Sequence, residues 1–413
     1  MPGINVGDLP FQEAIDHFRE KLIVPTEFWD DFLALTRAKA FTVAGAVKTD
    51  LLVDVRAAVD AAIADGTTIT EFRSRFDEAV QRHGWSYKGS RGWRTRVIYD
   101  NNLRSASMAG RWKQLQTTKA TRPYLQYFTV GDARVRPAHQ RWNLTVLPVD
   151  DDWWDTHMPP NGWGCRCTVR SLSQRELERS GQAVSRPEIN LTERINPATG
   201  EIYGQVPEGI DVGWDYNVGK AWLGPDIAFG EKIMSLPASM RDAVLKNARD
   251  LAPHLSKQFS PWVDALANRG RALGEIRTVG YLSPAVADYL EMQGHAPTTA
   301  VVTITDKDVM HMLRDAKDDR HVPAGVMRSL PDEIAAPQAV LWDKRDPAVL
   351  YVIDAPGEDR KAKFVVRINF SIKARGRDDR RHSVETNSVR SGGLIKQHNL
   401  RESGAYEIIE GEI

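Results

Sequence analysis

Residues 131–168, "GDARVRPAHQRWNLTVLPVDDDWWDTHMPPNGWGCRCT", decide how this chain is to be read. The stretch is rich in turn formers and tryptophan, and it has no helical or alternating period long enough to organise it. It is too long for a plain loop in a compact domain, so something other than regular pairing must hold it. Its last turn, "PPNGWGCRC" (159–167), contains both cysteines of the 413-residue chain, Cys165 and Cys167.

In a reducing compartment a close Cys pair more often binds metal or reacts than forms a disulfide. Cysteines one residue apart are also poorly placed for a relaxed bridge to each other. A zinc ion takes four ligands, of which two thiolates supply half. The remaining candidates lie upstream: Asp132, His139 and His157. A site of Cys165, Cys167, His139 and either Asp132 or His157 would pin the segment and add folding free energy directly. Two reduced, partly buried thiols beside tryptophans are the simpler alternative. A nucleophilic Cys with a His base is a third, weakened by the adjacent second thiol and by the lack of an orienting partner.

Outward from this stretch, residues 8–122 read as mostly helical. Apolar residues recur at three- and four-residue steps, Thr49 and Thr68 or Thr70 open helices, and Gly66 and Gly84 close them. "PYLQYFTV" (123–130) turns to β character. Residues 173–225 form a Pro/Gly-rich tail, and 226–274 read as a helical linker. From 275 to 413 two helical pieces precede alternating segments, "AVLWDK", "AVLYVID", "AKFVVRINFSI" and "SVETNSV", which predict an antiparallel meander. The expected fold class is multidomain α+β: a mostly helical N-terminal region, an irregular Cys-x-Cys module at 123–172, and C-terminal helices with a meander sheet.

Apolar content of 42% and charged content of 27% are those of a globular chain. No apolar run approaches the roughly 20 residues that span a bilayer, so no membrane partner is expected. The start "MPGINVGDLPFQEAIDHF" has neither a basic opening nor an apolar core, so synthesis in a cytoplasm is expected. Net charge is zero, yet Lys88–Arg141 is strongly basic and carries only Asp100 and Asp132 as acids. A second basic stretch runs from Arg360 to Arg401. Each is a solvated face or a contact for nucleic acid or an acidic partner.

Three segments, "DARVRPAHQRW", "LPVDDDWWDTHMPPNGWGCRCTVRSLS" and "PEGIDVGWDYNVGKAW", resemble the Mu F-like family of phage minor head, or head morphogenesis, proteins. The resemblance spans roughly 8–225. Asp132, Arg134, His139, Trp154, Pro159, Pro160, Cys165, Arg166 and Cys167 match the family pattern, whereas Asn143-Leu144 stands where a Gly is frequent. The resemblance implies a non-enzymatic, few-copy component of the procapsid, associated with the portal. It implies portal and capsid or scaffold proteins as partners, passage of phage DNA, and residence in the virion of a phage made in a bacterial cytoplasm. The basic helix from Lys88 to Arg122 fits a surface facing DNA or the portal.

Residues 275–413 resemble, in layout, the phage-borne domains related to barnase, EndoU, colicin and RelE nucleases. Metal-free RNA cleavage needs a base, an acid and cations for the phosphorane charge. His311 and His321 are the acid–base candidates, with His382 on a basic turn. Lys363 and Arg367 share one face of a strand, and Thr386 and Ser388 could bond phosphate. An RNase-like effector acting on RNA is one expectation for this part of the chain; a protein-binding module is the other.

Overall fold

The computed structural model describes residues 11–223, 226–314, 321–355, 360–375, 381–401 and 404–413. The chain divides into two compact units, Met1–Leu223 and Gly224–Ile413.

The first unit begins with helices. Gln12–Arg19 packs across Arg91–Thr118, a 28-residue helix, and Thr49–Ala64 pairs with Ile69–His83 beside it. Local chemistry sets the ends. Thr68 and Glu71 form a reciprocal capping box at Ile69, and Ser90 caps the long helix through the Trp93 amide. Phe18, Phe41, Val59, Phe72 and Phe76 fill the core between these helices. A small antiparallel sheet follows, with Tyr124–Phe128 between Val146–Pro148 and Thr168–Leu172. The Pro/Gly-rich tail contains a hairpin, Leu191–Ile195 with Ile202–Pro207, which the sequence did not announce.

A second, aromatic core lies under that sheet. Tyr127, Trp142, Trp153, Trp154, Trp214 and Trp222 are buried there with Cys165 and Cys167. Trp153 stacks on His157 with ring centroids 4.3 Å apart, and Trp142 meets Tyr127 and Trp153 edge-on. This is how the irregular stretch is held. Its apolar surface is concentrated in large rings, which bury much area per residue without regular backbone pairing.

The second unit is a seven-stranded sheet covered by helices. Strands Ala339–Asp343, Ala348–Asp354, Arg360–Arg375 and Arg381–Lys396 form the expected meander. Tyr406–Gly411 extends it at one side. At the other, Val301–Thr305 pairs parallel to Arg381–Lys396 and antiparallel to Ile276–Tyr281. Residues 226–274, expected as a linker, supply Phe259, Trp262, Val263 and Leu266 to the core of this unit. Among the described residues no helix is long and apolar enough to cross a membrane.

Two consequences can be measured. Gly110 lies where Gln12–Arg19 crosses the long helix, and a Cβ there would sit 2.8 Å from the Ala14 amide nitrogen and 3.1 Å from the Glu13 carbonyl carbon. Gly110→Ala therefore loses stability, by about 1–3 kcal/mol in denaturant titration, although alanine is the better helix former.

The second consequence is acid sensitivity. His17 and His157 are sealed in the first unit at 0% and 2% exposure. Burial holds His17 well below its ordinary value and pushes His157 down to about 4. The unfolded chain takes up these protons near pH 6.5, before the folded one does. Their contribution is therefore complete above about pH 6.5 and is lost as pH falls below it, for His157 down to about 4. The urea midpoint should drop over that window, and His157→Gln should flatten the drop.

Candidate functional site

Three side chains of the decisive stretch converge. His139 sits in the short helix Pro137–Trp142, opened by Pro137 at its first position. Cys165 and Cys167 lead into the strand Thr168–Leu172. His139 Nδ1 lies 3.8 Å from Cys165 Sγ and 3.5 Å from Cys167 Sγ. All three residues are buried, and their donor atoms lie within 4.8 Å of one another. The other ring nitrogen, Nε2, bonds the Gly209 carbonyl at 3.0 Å. With Nε2–H as the donor, the Nδ1 lone pair points at the sulfurs, the second-sphere arrangement seen for metal-bound imidazoles. Gly209 reaches this position because it has no side chain: a Cβ would lie 2.3 Å from that of Ala138.

The spacing suits an ion. Tetrahedral zinc, with Zn–S of about 2.3 Å and Zn–N of about 2.0–2.1 Å, sets neighbouring donors roughly 3.5–3.8 Å apart. The two His–Cys separations fall on those edges. The two thiols and the imidazole act on one another. The Cys165 thiol is drawn well below its usual range, first by a hydrogen bond from Cys167 and then by His139. Cys167 is pushed up by Cys165 and by burial.

The remaining two candidates are placed elsewhere. Asp132 takes a two-pronged hydrogen bond from Arg166 at 2.6 and 2.7 Å and a contact from Arg134 at 3.3 Å. Arg166 lies between the two cysteines, so Asp132 fixes the loop from outside. His157 is enclosed by Trp142 and Trp153, with Nδ1 2.8 Å from the Thr156 hydroxyl. The structure brings neither to the His139–Cys165–Cys167 group.

Arginines that the sequence reading assigned to a basic surface turn out to hold this loop. Arg104 Nη1 donates to the Gly164 and Cys165 carbonyls at 3.0 and 2.7 Å. Arg111 donates to the Val169 carbonyl, and Arg122 to Ser171. Arg91 is paired with Asp77 and Lys119 with Asp150. Arg104 and Arg111 are seven residues apart, two helical turns on one face. That spacing was the available signal, and charge alone concealed it.

The six nuclease candidates all lie in the second unit, where Arg367 and Ser388 are register partners on neighbouring strands. His311 is exposed in the last turn of Asp306–Met312. His321 is half-buried, with Nδ1 enclosed. Lys363 and Arg367 do share the strand face opposite Phe364 and Val366, but Arg367 is bound by the Asp346 carboxylate and the Pro347 carbonyl. Thr386 and Ser388 are fully buried. Thr386 bonds Thr303 and the Val301 carbonyl at 3.4 and 3.5 Å, and the Ser388 hydroxyl has no partner. The side chain of His382 lies outside the described residues.

With this geometry in view, the comparisons with known proteins are specific. Residues 53–170 match the model of the family described as phage Mu protein F like protein, a span that ends just past the two cysteines. The chain is 33% identical to protein F of Escherichia phage Mu, named for capsid assembly, over 98% of this chain and 96% of that protein. It is 28% identical to the F protein of the Mu-like prophage FluMu of Haemophilus influenzae, over 88% and 96%. No solved structure matches it. Near full-length likeness to the phage Mu protein, together with the family match over the segment that carries the His–Cys cluster, places this chain in the phage Mu F-like family.

Proposed function

We propose that the chain is a minor head protein that works by assembly at the portal, during procapsid formation and DNA passage, and that its first unit carries one structural Zn²⁺ on His139, Cys165 and Cys167. The convergence of three buried donors, with His139 at tetrahedral-edge distances from both thiols, supports the metal. The capsid-assembly name of the phage Mu relative supports the role. Three protein ligands leave a fourth position, and Tyr127, whose hydroxyl donates to Asn161 at 2.9 Å, borders the same thiols. The ion would do no chemistry on a substrate. It would fix a loop with little secondary structure of its own, its binding energy appearing as folding energy.

For the second unit, a structural or protein-binding role is the better-supported reading. An RNase needs its phosphate-binding and acid–base groups at one solvent-reached place. Thr386 and Ser388 are sealed, and Arg367 is already neutralised by Asp346.

The purified full chain should carry about one zinc ion by elemental analysis. Cys165→Ser and His139→Ala should lose it, and chelation should lower the melting temperature of the wild type. Asp132→Asn and His157→Gln should retain it. Zinc well below about half an equivalent would remove the metal from this reading while leaving the assembly role standing. That role has its own check: in intact particles, quantitative mass spectrometry should find far fewer copies of this chain than of the major capsid protein. Incubated with total RNA, the full chain should leave it intact; cleavage abolished by His311→Ala would restore the nuclease reading.

A further inference from the structure

The first unit contains a cavity of about 770 Å³ that the assembly reading does not use. It opens between the first turns of the long helix, residues of the segments 21–45 and 86–88, and the rings of Trp163 and Trp214. Its rim is aromatic: Phe28, Trp29, Trp93 and Trp163 are 56, 41, 56 and 36% exposed. Bulky rings left in water around a concave surface mark a binding site more often than a plain surface.

Its lining is cationic. Lys21, Arg37, Lys88 and Arg94 face Glu27 as the single acid among the described lining residues. Lys21 is only 6% exposed, and its ammonium bonds the carbonyls of Arg37 and Ala40 at 2.7 and 3.4 Å rather than a carboxylate. Arg37 lies over Trp163 and Trp214, with one guanidinium nitrogen, Nη1, buried and without a hydrogen-bond partner. Arg94 donates to the Ala44 and Lys88 carbonyls, and its Nε is likewise buried and unpaired. Buried charge is retained at a cost unless it is paired. Burial and the neighbouring cations Arg37, Arg56 and Lys39 push Lys21 down to about 7, as expected where a counter-charge is missing.

We propose that this cavity is a docking site for a peptide segment of a partner protein that combines an acidic side chain with bulky apolar ones. The carboxylate supplies the missing charge beside Lys21, Arg37 and Arg94, and the apolar side chains take the place of water against Trp29, Trp93 and Trp163. A carboxylate on a flexible stem reaches a cation that is 6% exposed. A nucleic-acid strand carries its phosphates on the chain itself and is held by cations strung along an open groove. The depth of the cations therefore favours the peptide. The site is separate from the His–Cys cluster and stands whether or not zinc is bound there.

The test uses the immobilised full chain and three short peptide libraries. All carry Trp, Phe and Leu; the remaining positions are Asp/Glu in the first, Lys/Arg in the second and Ser/Gln in the third. Oligothymidylate is run as competitor. The acidic library should be retained and the other two washed off. Retention should weaken at least roughly tenfold in Arg37→Met and in Trp93→Ala. Trp93 is exposed, so its variant should melt with the wild type and keeps the test informative if Arg37→Met folds poorly. Equal retention of the three libraries, no retention, retention unchanged in Trp93→Ala, or displacement of the acidic peptides by oligothymidylate would each overturn the proposal.

Discussion

The structure of the first unit depends on one convergence, that of the His139 imidazole with the thiols of Cys165 and Cys167. Between His139 and Cys165 the chain makes a short strand, a four-residue helix and several turns, none of which is stable alone. What fixes the path is the contact of its two ends, aromatic packing between them, and hydrogen bonds from outside. Trp142 shows how closely these are joined: it stacks on His139 at 5.0 Å and meets His157 edge-on at 4.8 Å. Moving the His139 ring disturbs the tryptophan cluster and the thiols together.

The hydrogen bonds from outside come from the long helix. Arg104 and Arg111 donate to carbonyls on either side of the cysteines, at Gly164, Cys165 and Val169. Carbonyls in an irregular segment have no ladder partner and must find donors elsewhere. A guanidinium is suited to this, with five donors in a rigid fork and a charge that does not titrate. The basic character of this helix is thus in large part internal chemistry. The Asp132–Arg166 pair completes the frame on the solvent side.

How much of this was legible depends on range. Helices at 49–64, 69–83 and 91–118 follow from periodicity, which is local and therefore written in adjacent residues; the Thr68 cap is realised, whereas Thr49, expected as a cap, is the first residue of its helix behind Lys48 and makes no capping hydrogen bond. The meander follows from alternation. The strand Val301–Thr305 was missed because "VVTIT" is short and buried on both faces, so it does not alternate. Tyr406–Gly411 was missed for a different reason: it pairs with a strand more than sixty residues earlier in the chain. At the site, residue types named the donors but not their grouping. The sequence set His139 with the two cysteines but left Asp132 and His157 as equal alternatives for a further ligand, and only packing decides against both. Burial against Trp153 encloses His157, and Arg166 claims Asp132. In the second unit, alternation correctly put Lys363 and Arg367 on one face, but polarity could not reveal that Thr386 and Ser388 are enclosed by neighbouring elements.

The loop that ends in the cysteines serves two places at once. Trp163 lines the large cavity, and Cys165, two residues later, belongs to the thiol cluster. The return segment repeats this: Gly209 accepts from His139, and Trp214 lies beneath Arg37 in the cavity wall. The Gly164 amide between the two places is bonded to Asn101 Oδ1 at 3.0 Å, and Asn101 is itself part of the cavity lining. A wall built on a turn-rich loop would ordinarily be mobile, and binding would then have to order it first. Anchoring the loop through the His–Cys cluster and the Arg104 latch removes that cost in advance. The His–Cys cluster thus lies against the tryptophans of both places: Trp142 stacks on His139 at 5.0 Å, and Trp163 stands two residues before Cys165.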